Sequence, residues 1–432
     1  MLTNKDNFNI DDFYKKYING PQIFKKREAL EPSFVPYELP HRDNEIEQIA
    51  GKTACSLRGG VPSHFLIYGK TGTGKTATVR FVSQKLAQYS EERKPWWIYI
   101  NCSIVSTPYR ILAHIYNTIV GSEQIPPTGL PKDVIFKKLL GLLDYKIKNS
   151  VCFFVLDEID LITDSKQGNE ILYDLTRLDE NLELCKTCLI GISNKVKFKE
   201  NLDPRVISSL GEEHITFPVY NAQELRDILE SRAHIAFQED TISEGVIGLC
   251  AALAAEEHGD ARKALQLLRK AGEIAEKNHH KTVTGDHARK AKQELERDHI
   301  IDYIKGMPLQ AQLVLTAIYL ISKFGKDRII VSGDIYEVHS ELTNMIPGIS
   351  TLTRRRISDY INELHSADII SAEKKSMGYY GRTKVLQLNI ELKFLETILR
   401  DIEKVKDVLN YKPILIQNNK VRISNSTFRR LG

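Results

Sequence analysis

Between residues 60 and 218 short apolar runs alternate with stretches of helical periodicity. Phe65–Tyr68 is an apolar run closed by glycine, and a helical pattern over Thr76–Ala87 follows it. Trp96–Ile100, Thr187–Ile192 and His214–Phe217 are further strand candidates. Val151–Leu156 is apolar throughout, as expected of a strand buried on both faces of a parallel sheet. Five short strands alternating with helices predict an open, mostly parallel sheet, helix-covered on both sides. After Pro218 the strand pattern stops, and Ala222–Phe237, Glu244–Glu257, Ala261–Asn278 and Gly285–Arg297 all read as helices. A third unit begins near Asp298. It reads as helices over Leu309–Phe324, Ser332–Met345 and Ser350–Ser366, then strands over Ile369–Lys374 and Lys384–Ile390 around a Gly-rich turn at Ser376–Gly381. Helix, helix, helix, hairpin is the order of a winged helix. The expected division is therefore 1–217 for the N-terminal segment and sheet domain, 218–297 for a helical domain, 298–400 for the winged helix and 401–432 for a tail. The tail reads as helical to Leu409, then irregular and basic.

Composition changes little in this picture. The chain has 432 residues, 42% hydrophobic and 27% charged, as in ordinary globular proteins. Its apolar runs are far too short to span a bilayer. Met1–Ile10 is polar and lacks the basic-then-apolar order of a signal peptide, so a cytoplasmic, nucleoid-associated protein without a membrane partner is expected. The six cysteines are scattered, and Cys185 and Cys188 form a lone CxxC without a second pair at zinc-finger spacing. They read as small, partly buried residues leading into a strand. Charge is distributed unevenly. Residues 301–432 carry about +6 and the remainder about −2 of the net +4, which points the C-terminal part toward a polyanion.

The candidate chemistry begins at residues 69–76, Gly-Lys-Thr-Gly-Thr-Gly-Lys-Thr, a match to GxxxxGK[ST]. Gly69, Gly72 and Gly74, with Thr73 between the last two, let the backbone curl so that its N–H groups face phosphate oxygens. The helix that opens here adds its positive end. Lys75 supplies a cation for the β- and γ-phosphates of ATP, or the β-phosphate of ADP, and the Thr76 hydroxyl a ligand for Mg2+. The strand Phe153–Leu156 runs into Asp157 and Glu158. Asp157 is expected to hold the metal, and Glu158 to act as general base on the attacking water. Three more groups suit a transition state with negative charge on the γ-phosphoryl oxygens. Asn194 follows the fourth strand, Arg262 opens a helix of the helical domain, and Arg205 is suited to a neighbouring subunit's nucleotide. Taken singly, each is more often a surface group or a cap; their order along the chain raises them.

In that order, residues 35–297 resemble AAA+ ATPases, with Asn194, Arg205 and Arg262 at the sensor-one, arginine-finger and sensor-two positions. The finer resemblance is to the archaeal replication initiators related to the origin recognition complex and its helicase-loading partner. It rests on Val35–Arg42, the phosphate loop, Leu156–Asp160, Leu202–Val206 and His258–Arg262, and on Thr107-Pro108-Tyr109-Arg110, which resembles the initiator-specific element. The resemblance implies an AAA+ sheet domain with a helical lid and a C-terminal winged helix. It also implies an adenine pocket, with Val35 and Pro36 on the base and Tyr220 and Arg232 as nucleotide contacts. The implied partners are duplex origin DNA, a replicative helicase of the minichromosome maintenance type and other initiator paralogues.

The third unit has its own candidate surface. Leu352, Ile357, Ile361 and Leu364 share an inward helix face. Thr351, Arg355, Ser358 and Asn362 share another, with Arg354 beside them, and these are side-chain types that reach base edges and phosphates in a major groove. The turn carries Tyr379, Tyr380, Gly381 and Arg382, followed by Lys384, and a minor groove suits the arginine. Tyr109 and Arg110 are implied by the resemblance to touch DNA as well, although Tyr109 also reads as core. The expected function is an ATP-regulated replication initiator with slow, switch-like ATPase activity. A loader without sequence preference, or a signalling or transcription-regulating ATPase with a winged helix, stays open.

Overall fold

The computed structural model describes residues 20–418 except 91–92, 164, 196–197, 199, 201, 211–212, 258, 326–328 and 377–381, with backbone only at 374–376 and 382. It divides into two compact units, 1–292 and 293–432.

In the first unit, α1 (Asp43–Thr53) precedes β1 (Phe65–Gly69), α2 (Lys75–Gln88) and β2 (Trp96–Asn101). Two helices follow, α3 (Pro108–Val120) and α4 (Lys132–Lys146), then β3 (Val151–Asp157), α5 (Asp160–Thr163) and α6 (Lys166–Thr176). β4 (Lys186–Ser193), α7 (Pro204–Leu210) and β5 (His214–Phe217) complete the sheet domain. The sheet is parallel with order β2-β3-β4-β1-β5. Its two faces are filled by alternate residues. Phe65, Ile67, Phe153, Val155, Ile190 and Ile192 enter one core. Leu66, Tyr68, Phe154, Leu156 and Leu189 enter the other. This period of two within runs that are apolar throughout is the physical meaning of a doubly covered strand. Register sets the carboxyl edge: Asp157 lies opposite Asn101 on one side and Ile192 on the other, and Gly69 opposite Phe217. In open α/β sheets that edge is where ligands bind.

The lid follows as α8 (Ala222–Ala236), α9 (Val246–Glu256), α10 (Ala261–Lys277) and the first part of α11 (Gly285–Gly306). A capping box of Asn221 and Glu224 starts α8. The helix expected to end at Arg297 runs on to Gly306, and the two units divide within it. Nothing in Arg297–Lys305 is a helix breaker, which explains the continuation.

The second unit packs α12 (Leu309–Phe324), β6 (Ile330–Val331), α13 (Ser332–Met345), α14 (Arg354–Ser366), β7 (Ile370–Ser376) and β8 (Arg382–Leu388). Its sheet has the order β6-β8-β7. The two-residue β6 was not anticipated, because so short a strand has no readable period. α14 starts at Arg354 rather than Ser350, since the Thr353 hydroxyl accepts from the Arg356 N–H and caps it. Thr351 and Leu352 therefore precede the helix instead of sharing its faces. The segment set apart as a tail is partly integral. Around α15 (Leu392–Arg400), α16 (Glu403–Lys406) and α17 (Ile414–Gln417), the side chains of Val405, Val408, Leu409 and Leu415 join the winged-helix core. Among the described residues no single helix is long and apolar enough to cross a membrane. Leu409→Ala is expected to lower the stability of this unit by about 2–4 kcal/mol, read as faster hydrogen exchange in α12 at unchanged exchange in β3.

Candidate nucleotide site and winged-helix surface

The phosphate loop joins β1 to α2 and is built from backbone that only glycine tolerates. Gly72 and Gly74 have φ of 76° and 89°. A Cβ on Gly72 would lie 1.8 Å from Asp260 Oδ1, and one on Gly69 would lie 2.7 Å from the Phe217 carbonyl. Gly72 is thus glycine for two reasons, its left-handed turn and the approach of the lid. That approach is direct: the Ala261 N–H donates to the Gly72 carbonyl at 3.2 Å, and Asp260 caps α10 through the Arg262 N–H at 2.8 Å.

Lys75 is buried at the start of α2. Its ammonium donates to the carbonyls of Gly69 (2.8 Å) and Lys70 (2.7 Å) and to Asn194 Oδ1 (2.9 Å). Its pKa is pulled down to about 8, first by burial and then by the Arg262 cation, with Asp157, Asp260 and Asp160 opposing the shift. The Thr76 hydroxyl donates to Asp157 Oδ2 at 2.6 Å, which places two oxygen donors side by side at the end of the loop. A hydroxyl beside a carboxylate suits a hard divalent cation that keeps waters and phosphates as its remaining ligands. No cluster of three or more His, Cys, Asp or Glu side chains suited to a metal occurs among the described residues. Glu158 has φ 56°, left-handed for a non-glycine residue, and its N–H donates to Asp157 Oδ1 at 3.0 Å. Such backbone costs about 1 kcal/mol or more and is retained at functional turns.

One cavity of about 280 Å³ gathers most of the expected contacts: Val35, Pro36, Gly72, Gly74, Thr76 and Asp157 from the sheet side, and Tyr220, Arg232 and Arg262 from the lid. Arg232 is buried and committed. Its guanidinium donates to the carbonyls of Ala29 and Phe34, both at 3.0 Å, and so holds the segment that carries Val35 and Pro36. Burial lowers its pKa to about 10. Arg205 is exposed, bound to Asp203 at 2.9 Å, and is absent from the cavity lining.

Two residues that the sequence presents only as members of motifs are central to the site. Asp160, 5% exposed, accepts from the Ser193 hydroxyl at 2.9 Å and so sets the turn bearing Asn194. Arg42, 2% exposed, donates to the Thr73 and Pro218 carbonyls. Nothing in sequence spacing marks either one. Asp260, by contrast, was findable as an Asp directly before a helix.

Comparison with known proteins agrees with this geometry. Residues 38–185 match the AAA ATPase domain, 226–293 the Cdc6 AAA+ ATPase-type lid domain, and 302–397 the CDC6 C-terminal winged helix domain. The ORC1-type DNA replication protein of Pyrococcus furiosus is 47% identical over 395 residues, 90% of this chain and 93% of the relative. The chain belongs to the ORC1-type DNA replication proteins. The ORC1-type DNA replication protein 1 of Methanosarcina acetivorans is 40% identical over 93% of this chain and 96% of its own length. The structure of the Aeropyrum pernix Orc1 protein in complex with DNA superimposes with a TM-score of 0.78 at 40% identity, covering 90% of this chain and 99% of that one. AAA+ sheet domain, lid and winged helix thus stand as expected for an ORC1-type chain.

The winged-helix surface was legible in part. Ile357, Ile361 and Leu364 are buried, as is Tyr360. On the outer face Arg355 is exposed and has no partner among the described residues. Arg354 stacks over Tyr336 with 5.1 Å to the ring centre. Lys384 donates to Ser358 Oγ (3.1 Å) and Asn362 Oδ1 (2.6 Å), bracing β8 against α14. The Thr351 and Thr343 hydroxyls lie 3.0 Å apart, ahead of the helix. Tyr379, Tyr380 and Gly381 fall outside the described residues, and Arg382 is described by backbone alone. In the other unit, the Tyr109 hydroxyl donates to the Pro126 carbonyl at 3.0 Å and its ring is half-buried on the core. Arg110 beside it is exposed.

The Lys75 ammonium gives this ORC1-type site a signed pH dependence. The free lysine titrates at about 8, and a bound triphosphate raises that value by favouring the charged form. Nucleotide affinity is therefore full below pH 8 and falls as pH rises above it, with proton uptake on binding between the two values. Calorimetry at pH 8.5 in buffers of different ionisation enthalpy checks this; binding enthalpy independent of buffer contradicts it.

Proposed function

We propose that this chain is an ATP-regulated replication initiator that binds origin duplex DNA and helps to recruit or load the replicative helicase. The observation that carries the reading is the single cavity in which Thr76 and Asp157 of the sheet domain face Tyr220 and Arg262 of the lid. A ligand held by both halves fixes their relation, so nucleotide acts as a selector of state. Lys75 and the curled loop bind the β- and γ-phosphates. Thr76 and Asp157 would hold magnesium, which would supply a charge to neutralise the phosphates. Asn194, already on Lys75, orients water or touches the γ-phosphate. Glu158 takes the proton of the attacking water, and Arg262 adds a cation from the lid. Arg205, exposed and outside its own cavity, fits a role on a neighbouring subunit's nucleotide. Hydrolysis is slow and switch-like in this reading.

DNA engagement runs through α14 and the wing. Arg355 is the unpaired cation on that helix, while Lys384 braces the wing against it and so sets the angle between the two elements. Thr351, Arg354 and Ser358 border the same surface, and Tyr379, Tyr380, Gly381 and Arg382 form the wing tip by sequence. Arg110 adds a contact from the sheet domain, with Tyr109 positioning it. The helicase partner, of the minichromosome maintenance type, and initiator paralogues follow from the family resemblance.

Lys75→Ala is expected to abolish ATP binding, and retained wild-type affinity in a titration would remove the loop from its role. Glu158→Gln should bind ATP normally and lower turnover about 100-fold or more; unchanged turnover excludes it as the base. On duplex DNA, log affinity should fall linearly with log salt, and Arg355→Ala should reduce the slope by about one. A footprint with discrete protected repeats supports an initiator, whereas uniform protection supports a loader without sequence preference.

A further inference from the structure

We propose that Arg42 is the positioning residue through which the phosphate loop sets the hinge of the lid, an inference that rests on the reading of nucleotide as a selector of state. Arg42 lies just ahead of α1 and is buried. Its three kinds of donor nitrogen go to three separate segments. Nε donates to the Thr73 carbonyl of the phosphate loop at 2.9 Å. Nη2 donates to the Pro218 carbonyl, between β5 and the lid, at 2.8 Å. Nη1 donates to the His41 carbonyl at 2.9 Å. The guanidinium also lies over the Tyr220 ring, 3.7 Å from its centre, and 5.5 Å from the centre of the Phe217 ring.

Stereochemistry turns these contacts into a linkage. In a trans peptide the C=O and the following N–H point in opposite directions. Arg42 draws the Thr73 carbonyl toward itself and so turns the Gly74 N–H the other way. Gly74 is a residue of the phosphate cradle. The guanidinium is a rigid plane, so the separation between the loop carbonyl and the hinge carbonyl is fixed by one group. Tyr220 adds a second wedge: a Cβ on Gly74 would lie 2.9 Å from its hydroxyl, so the hinge tyrosine touches the loop at the same peptide. A phosphate that reorients the Gly74 N–H must therefore move Thr73, Arg42, Pro218 and Tyr220 together. Lysine at position 42 would keep the charge but bring its donors from one nitrogen without a rigid plane, and so would not fix the separation between the loop and hinge carbonyls.

The test is hydrogen exchange of the backbone amides of residues 219–225 in the full chain, with and without ATP and magnesium, for the wild type, Arg42→Lys and Arg42→Met. In the wild type nucleotide should slow these amides about tenfold. In Arg42→Lys nucleotide should still bind, while the slowing falls below about twofold, and Arg42→Met should behave likewise if it folds. A role in packing alone would speed exchange equally in both states and leave the nucleotide-dependent ratio intact. Wild-type slowing in Arg42→Lys overturns the proposal. So does loss of nucleotide binding in that variant, which would make Arg42 a binding residue rather than a coupler. Absence of any nucleotide effect in the wild type instead defeats the selector reading itself, and the role of Arg42 falls with it.

Discussion

A lysine ammonium held out of water between two backbone carbonyls and an asparagine side chain governs the rest of this molecule. Removing a cation from water is costly unless donors find acceptors. Lys75 finds them in Gly69, Lys70 and Asn194. Those acceptors exist only if the loop curls, the curl requires left-handed glycine, and the glycines also let Asp260 and Phe217 come close. The same ammonium ties the loop to the turn after β4, which Asp160 holds in place through Ser193. The phosphate loop, the acidic end of β3 and the turn after β4 thus form one hydrogen-bonded unit, anchored by a sheet buried on both faces.

The lid is attached to that unit by short polar contacts rather than by a large apolar interface at the loop. Ala261 meets Gly72, Asp260 packs against the same residue, and Arg42 spans from Thr73 to Pro218. Polar contacts of this kind are worth about 1–3 kcal/mol each and are sensitive to small shifts. The cavity is lined from both sides of this joint. The winged-helix unit has a comparable economy. Lys384 is used to fix the wing strand on α14, which leaves Arg355 as the free cation of the helix surface among the described residues.

How much was readable in advance depends on the range of the interaction. The strands announced themselves because burial on two faces demands continuous apolar runs, and the phosphate loop because its glycines answer to a local backbone need. Asp157 and Glu158 were legible because they end such a run. Arg42 and Asp160 carried no such sign. Their partners lie 31 and 33 positions away, and an isolated Arg or Asp looks the same whether buried or solvated. α14 starts four residues later than the sequence pattern predicts because Thr353 caps the helix.

By itself the sequence determined the order of elements, the chemistry available at the sheet's carboxyl edge and the family to which both belong, since these depend on side-chain period and on residues adjacent in the chain. Only the tertiary structure decided that Arg232 holds the segment bearing Val35 and Pro36 through backbone carbonyls, that residues 401–417 complete the winged-helix core, and that one guanidinium bridges loop and hinge. Each of these is a contact between segments far apart in sequence. The chain acquires it on closing into a compact fold, when buried donors must find whichever acceptors the packing brings within reach.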